Sequence, residues 1–304
     1  MVFKVKNTTF LRNFSLFDVI CPENCRGCGA RGEMLCERCK KYIFAHYQNH
    51  CPVCKQELSG GVCRKCKGGR ARIEGEEKGK GVYEIFKGIY SVGFRDEIIG
   101  EMVEEYKYYS VRGLSGALAE ILEGTVFREV GEKIFNRGSG SFKGQNVQKS
   151  TGKLPLILVP LPTARKHIRE RGFDHTKLIM KKVSRDFKRG EAEIFELLLR
   201  AKDTTQVGAS EKKRLKQAKE AYRLNPKYFR EVSEGEFQVK EKYREILRKP
   251  VVLFDDVWTT GASLTEAAKM LQRAGIREIY GVVLAVNRRG RKPILRRGIF
   301  GEEK

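Results

Sequence analysis

The sequence predicts an α/β protein: a three-layer domain built on a mainly parallel sheet, preceded by a small cysteine-rich module. Three observations carry this expectation. Apolar runs without alternation at 154–162 (LPLILVPLP), 251–254 (VVLF) and 279–286 (IYGVVLAV) read as strands buried on both faces, as parallel strands covered by helices are. Segments 174–187 and 264–273 place apolar residues at helical spacing between or after such runs. Ahead of all of them, eight of the nine cysteines fall in four C-x2-C pairs.

The 304 residues suffice for one α/β core and a smaller module, and 40% hydrophobic with 10% aromatic content excludes wholesale disorder. Lys and Arg number 61 against 38 Asp and Glu, a formal net charge of +23. That balance favours polyanionic partners: nucleic acid, phosphorylated ligands or an anionic surface. No apolar run approaches the ~18 residues that span a bilayer, and the N-terminus lacks the uninterrupted apolar segment of a signal peptide. The expected location is the cytoplasm, without membrane insertion, where cysteines serve as thiols or metal ligands rather than disulfides.

The pairs are Cys25/Cys28, Cys36/Cys39, Cys51/Cys54 and Cys63/Cys66. Each C-x2-C turn presents two thiolates from one side of a knuckle, and two knuckles complete a tetrahedral four-thiolate zinc site. Pairing by proximity makes one ribbon from Cys25, Cys28, Cys36 and Cys39 and a second from Cys51, Cys54, Cys63 and Cys66; spacing alone leaves an interleaved pairing open. A module this small builds little core, so two structural zinc ions would supply its folding free energy. Cys21 reads as a spare thiol, and His46 and His50 as non-ligands.

The expected organisation is an N-terminal segment with a double ribbon over 1–69, a linker at 70–81, a main domain over 82–290 and a basic tail at 291–304. Low apolar content and charge mark 136–153 and 226–249 as flexible insertions in that domain. Within it, 88–94 predicts a strand, 97–122 a helix interrupted near Gly113, and 195–199 a further strand. Segment 200–222 starts loop-like and becomes helical. Tyr106, Tyr108 and Tyr109, with Lys107 and Arg112, either stack bases or pack as core and helix surface. Five of the seven residues 165–171 are basic, counting His167, so that segment is solvated or binds an anion.

The stretch 251–263 organises the candidate site. Its strand leads into Asp255 and Asp256, expected where the strand surfaces, and then into Thr259-Thr260-Gly261-Ala262-Ser263 opening a helix. A loop that leaves the carboxyl end of a parallel strand and starts a helix presents free N–H groups and a positive dipole end, a seat for phosphate. The adjacent carboxylates can accept hydrogen bonds from a sugar's vicinal hydroxyls or hold a hydrated magnesium. The plain alternative is a buried strand ending in Asp, with Ser263 as an ordinary helix cap.

This stretch closely resembles the phosphoribosyl-pyrophosphate (PRPP) signature of type I phosphoribosyltransferases, with Trp258 where that signature usually has a smaller aliphatic residue. The order of the features extends the likeness. Four-thiolate ribbons, Val159-Pro160-Leu161-Pro162, the Arg169-to-Phe173 turn, a basic loop with Gln206 and then Phe254 to Ser263 resemble the ComF family. These are competence-associated proteins with a type I phosphoribosyltransferase-like domain. The likeness spans roughly 14–128, 154–225 and 250–287, and Asp174-His175 stands where the family usually has Asn-Gln. The resemblance implies that Val257 and Thr259, Thr260, Gly261, Ala262 and Ser263 hold a 5′-phosphate. It implies that Asp255 and Asp256 hold ribose hydroxyls, that Leu161, Pro162, Thr163 and Arg165 form a pyrophosphate loop, and that Arg200 and Lys202 belong to a mobile catalytic loop. Magnesium is expected with PRPP. The implied partners are PRPP or a related phosphoribosyl ligand, single-stranded DNA and proteins of the DNA-uptake machinery. Three readings stand: a ligand-binding protein of DNA uptake, an active phosphoribosyltransferase of nucleotide metabolism or salvage, and a non-catalytic single-stranded DNA-binding factor.

Overall fold

The computed structural model describes residues 23–58, 60–67, 81–135, 156–187, 191–201 and 221–288. Its strands, in chain order, are β1 (Gly88–Phe94), β2 (Leu156–Pro160), β3 (Ala192–Ile194), β4 (Leu198–Arg200), β5 (Tyr222–Leu224), β6 (Phe229–Ser233), β7 (Glu236–Val239), β8 (Val251–Trp258) and β9 (Ile279–Val286). The helices are α1 (Glu37–Ala45), α2 (Arg64–Lys67), α3 (Val82–Ile85), α4 (Ile98–Tyr108), α5 (Leu114–Leu122), α6 (Arg128–Phe135), α7 (Arg165–Arg171), α8 (His175–Asp186) and α9 (Ala262–Arg273). Five strands form one sheet in the order β1-β9-β8-β2-β3, parallel throughout. Fully buried β1, β2 and β9 account for the unalternating apolar runs.

The sheet separates two buried clusters. One face packs α3 and α9 with Tyr222, Tyr228, Phe229 and Ile246 from the segments around β5 to β8. The other packs α4, α5 and α8 and includes Cys25, Leu35 and Cys39 of the first ribbon. The ribbon therefore shares a core with the sheet. Gly124 marks one contact, since a Cβ there would stand 2.5 Å from the Phe44 ring of α1.

The chain runs outward from β2 to β3, then returns to the other side of β2 for β8. Strand order reverses between these neighbours, so the loops leaving the carboxyl ends of β2 and β8 part there. Open α/β sheets bind ligands at such a crevice.

Two expectations about elements are corrected. Segment 195–199 is not one strand. Phe195 N still bonds Leu158 O, the chain then leaves the sheet, and Leu198–Arg200 pairs antiparallel with Tyr222–Leu224. The charged segment 226–249 is regular structure rather than a flexible insertion: a β6–β7 hairpin and a 3-10 helix, Glu241–Arg248. Three of its apolar residues, Tyr228, Phe229 and Ile246, are buried and anchor it, with Phe237, Val239, Tyr243 and Leu247 packed partly buried against the same core, while its charges face outward. Cys21, the linker at 70–80, the insertion at 136–153, Lys202, Gln206 and the tail lie outside the described residues. Among the described residues no helix is long and apolar enough to cross a membrane.

Candidate ligand cleft and metal centres

Strand β8 alternates its side chains between the two helical layers. Leu253 joins the cluster on the α9 side and Phe254 the cluster on the α4–α8 side. The ladder to β9 continues through Asp255↔Val283 and Val257↔Ala285, so the strand does not surface after Phe254. Both carboxylates thus lie within the strand, and Asp256 is only 3% exposed. This corrects the expectation of two carboxylates at an exposed strand end.

A cleft of about 330 Å³ opens at the β2–β8 reversal. It brings together Leu161, Pro162 and Thr163 after β2 with Asp255, Asp256, Val257, Thr259 and Ser263 of β8 and its turn, and adds Arg200 from the end of β4. Thr260, Gly261 and Ala262 complete that turn behind the lining, where Ala262 N bonds Thr260 Oγ1 at 3.4 Å. Arg165 opens α7 but its side chain is not among those lining the cleft.

Gly261 has φ 80° and ψ 0°, a left-handed conformation, and as the N-cap residue it offers no side chain to the helix it starts. A Cβ on Gly261 would lie 2.0 Å from Trp258 Cζ2. Trp258 itself is buried, edge-on to Phe86 at 6.5 Å between ring centroids, and does not line the cleft. The indole therefore supports the turn from below without narrowing the site.

The electrostatics come partly from residues that the motif does not contain. Lys107 of α4 places Nζ 2.5 Å from Asp256 Oδ2, and His175 Nε2 lies 2.8 Å from the same oxygen. Both approaches are oblique, and Oδ2 has no well-directed hydrogen bond. Burial drives the Lys107 ammonium down, with Arg171 and Arg95 adding to the effect and Asp255 opposing it. Burial, then Lys107, Arg171 and His167, holds His175 well below its ordinary value, so the ring is neutral near pH 7. Burial raises Asp255 to about 6 against the pull of Lys107 and Arg200. The signal for Lys107 was present in sequence: Ile99, Val103 and Lys107 follow one another at i, i+4, so a charge interrupts an apolar stripe. His175 was visible only as a departure from the family pattern. Arg95, Tyr108, His167 and Arg171 also line the cleft.

Ligand atoms of His175, Asp255 and Asp256 come within 4.8 Å of one another. Lys107 already supplies a positive charge beside Asp256, so the trio suits a hydroxyl-bearing ligand better than a metal bound by these side chains alone.

The two cysteine groups pair by proximity. In each, four Sγ atoms lie within 4.8 Å of one another: Cys25, Cys28, Cys36, Cys39 and Cys51, Cys54, Cys63, Cys66. Sulfurs about 2.3 Å from a tetrahedral zinc stand roughly 3.8 Å apart. The edges Cys28–Cys36, Cys51–Cys66 and Cys54–Cys63 measure 3.6, 3.8 and 3.5 Å. The donor sets therefore fit zinc. Gly27 N and Cys36 N each donate to Cys25 Sγ at 3.3 Å, and the Tyr83 hydroxyl donates to Cys51 Sγ at 3.2 Å, support that favours thiolates. Neither His46 nor His50 belongs to a group, and His50 packs on Phe94.

No family model matches the chain. Over 130 residues it is 35% identical to competence protein F of Haemophilus influenzae, a match covering 42% of this chain and 48% of that protein. The chain is thus similar to competence protein F over part of its length. It spans about half the length of the curated relative it matches. The likeness and the two four-cysteine groups agree with the resemblance read from the motifs.

Proposed function

We propose that the cleft at the β2–β8 reversal binds PRPP or a related ribose 5-phosphate compound with magnesium, and that the protein acts in the cytoplasm in DNA uptake during natural transformation. One observation supports the ligand reading most. Asp256 Oδ2 is a buried carboxylate oxygen at the cleft, charge-paired with Lys107 and His175 but with no well-directed hydrogen bond. A sugar hydroxyl directed along an open lone pair of that oxygen would supply the missing bond. Asp255 stands ready for the neighbouring hydroxyl. The Thr259–Ser263 turn, whose helix starts on a glycine with no capping side chain of its own, suits the 5′-phosphate. Arg95, Arg171 and Arg200 face the space left for an anionic leaving group.

In this reading magnesium arrives on the ligand's pyrophosphate, whose charge it would neutralise. The chain's own part is to fix the phosphate, orient the ribose through Asp255 and Asp256, and bring Arg200 and Lys202 toward the departing charge. Titration calorimetry of zinc-loaded protein with PRPP and magnesium tests it. No heat of binding in a folded sample would reject the site.

The part in competence rests on the likeness to competence protein F, and its partners would be proteins of the DNA-uptake machinery. A non-catalytic, single-stranded DNA-binding role is favoured by a different observation. Tyr108 and Tyr109 are 65% and 78% exposed beside the basic cleft, and Arg171 stands 5.9 Å from the Tyr108 ring centroid. PRPP binding without turnover on any nucleobase or amine decides for this role over an active salvage enzyme. DNA affinity should then fall with salt, at about 0.7 log units per neutralised phosphate per log unit of salt.

A further inference from the structure

We propose that His175 is a positioning residue that joins Arg171 to the Asp256 carboxylate and so sets the oxygen that receives the sugar; the proposal rests on the ligand reading given above. Arg171 ends α7, His175 begins α8 and Asp256 lies in β8, so three elements meet on one imidazole.

The hydrogen bonds fix the ring's proton. Arg171 Nη1 lies 3.2 Å from His175 Nδ1. A guanidinium nitrogen only donates, so Nδ1 accepts and is bare. Thr163 Oγ1, 3.1 Å from the same nitrogen, sends its own proton to Asp174 Oδ1 at 3.0 Å. A neutral ring then carries its single proton on Nε2, which faces Asp256 Oδ2 at 2.8 Å. The reverse tautomer would set a lone pair against a carboxylate at one nitrogen and two N–H groups against each other at the second.

This arrangement does two things for the site. The oblique Nε2–H steadies Oδ2 by charge and dipole while leaving the oxygen free to accept from a hydroxyl. It also makes Asp256 depend on Arg171, the side chain placed to meet an anion at the loop after β2. The sugar end and the anionic end of one ligand are thereby linked through His175. The role needs one donor and one acceptor at that reach, which glutamine has and leucine lacks.

The test has two arms on the zinc-loaded full chain. Long-range 1H–15N spectra without ligand, with His175 assigned by its loss in His175→Gln, should show a protonated Nε2 and a bare Nδ1 at pH 7. An imidazolium or an Nδ1–H ring overturns the proposal whether or not PRPP binds. In PRPP calorimetry with magnesium, His175→Leu should lose tenfold or more in affinity. His175→Gln should stay within about threefold of wild type. Equal loss in both variants, or none in leucine, refutes positioning. A wild type with the expected tautomer and no PRPP binding refutes the ligand reading and the sugar-setting role with it, and leaves the proton assignment standing.

Discussion

Asp256→Asn removes one charge and keeps the side chain's shape, and the structure reverses what the motif alone suggests about its effect on folding. A carboxylate at an exposed strand end would be dispensable for stability. Asp256 is instead buried against Lys107 Nζ. At 2.5 Å, with an effective dielectric constant near 20, the attraction is roughly 7 kcal/mol before desolvation is subtracted. Breaking a buried pair by removing one partner typically costs about 3–5 kcal/mol, because the remaining charge stays buried. Asp255 and Glu104 still attract Lys107 after the substitution, while Arg171 and Arg95 repel it. The lower end, about 3 kcal/mol, is therefore expected, equivalent to about 6–12 °C in melting temperature for a domain of this size. Thermal and urea unfolding of zinc-loaded protein measure it. Lys107→Met in the Asp256→Asn background should recover much of the loss, a coupling that a double-mutant cycle isolates. Melting within about 0.5 kcal/mol of wild type, with no coupling to Lys107, would show that the pair is not the buried contact described.

Other outcomes follow from the same geometry. Gly261→Ala should destabilise by about 2–5 kcal/mol, combining a left-handed backbone with overpacking against the indole; unfolding should show a smaller loss when Trp258→Val is present. Asp255 is held near 6, so PRPP affinity should fall as pH drops through 6, by up to about tenfold per unit, and calorimetry of Asp255→Asn should lack that limb. The stability sign is opposite. With a folded value above the ordinary 3.8, the contribution of Asp255 is full below 3.8 and is lost as pH rises through about 6. Metal analysis should find two zinc ions per chain and one in Cys36→Ser; a folded wild type with less than one contradicts the ribbons.

Strands β2, β8 and β9 and both cysteine groups were legible because burial on two faces and metal-ligand spacing leave local patterns. The turn 259–263 was legible for the same reason, since Gly261 marks a backbone that few other residues adopt. What escaped was pairing across distance. Nothing near Asp256 announces that a lysine of α4 and a histidine of α8 converge on it. Only the break in the Ile99–Val103 stripe hinted that Lys107 turns inward. Segment 226–249 misled because charge density hides how little apolar surface a hairpin needs: Phe229 and Tyr228 hold it while its polar residues stay in water. The strand expected at 195–199 failed at Phe195, where the sheet ends and a second, antiparallel pairing begins.

The second cysteine ribbon lies along β1, an outer strand of the sheet. Gly61 O accepts from Ile89 N at 2.8 Å, and the Asn49 side chain accepts from Ser91 N at 3.0 Å and donates to Ile89 O at 3.4 Å. These bonds occupy the backbone groups that an outer strand otherwise offers to any passing chain. The strand beneath, Gly88–Phe94 (GIYSVGF), carries no charge and no proline, a composition prone to stacking when uncovered. A zinc ion that holds this ribbon in place would therefore also guard against self-association. Chelation should yield oligomers that thioflavin dyes detect, before the α/β core itself melts.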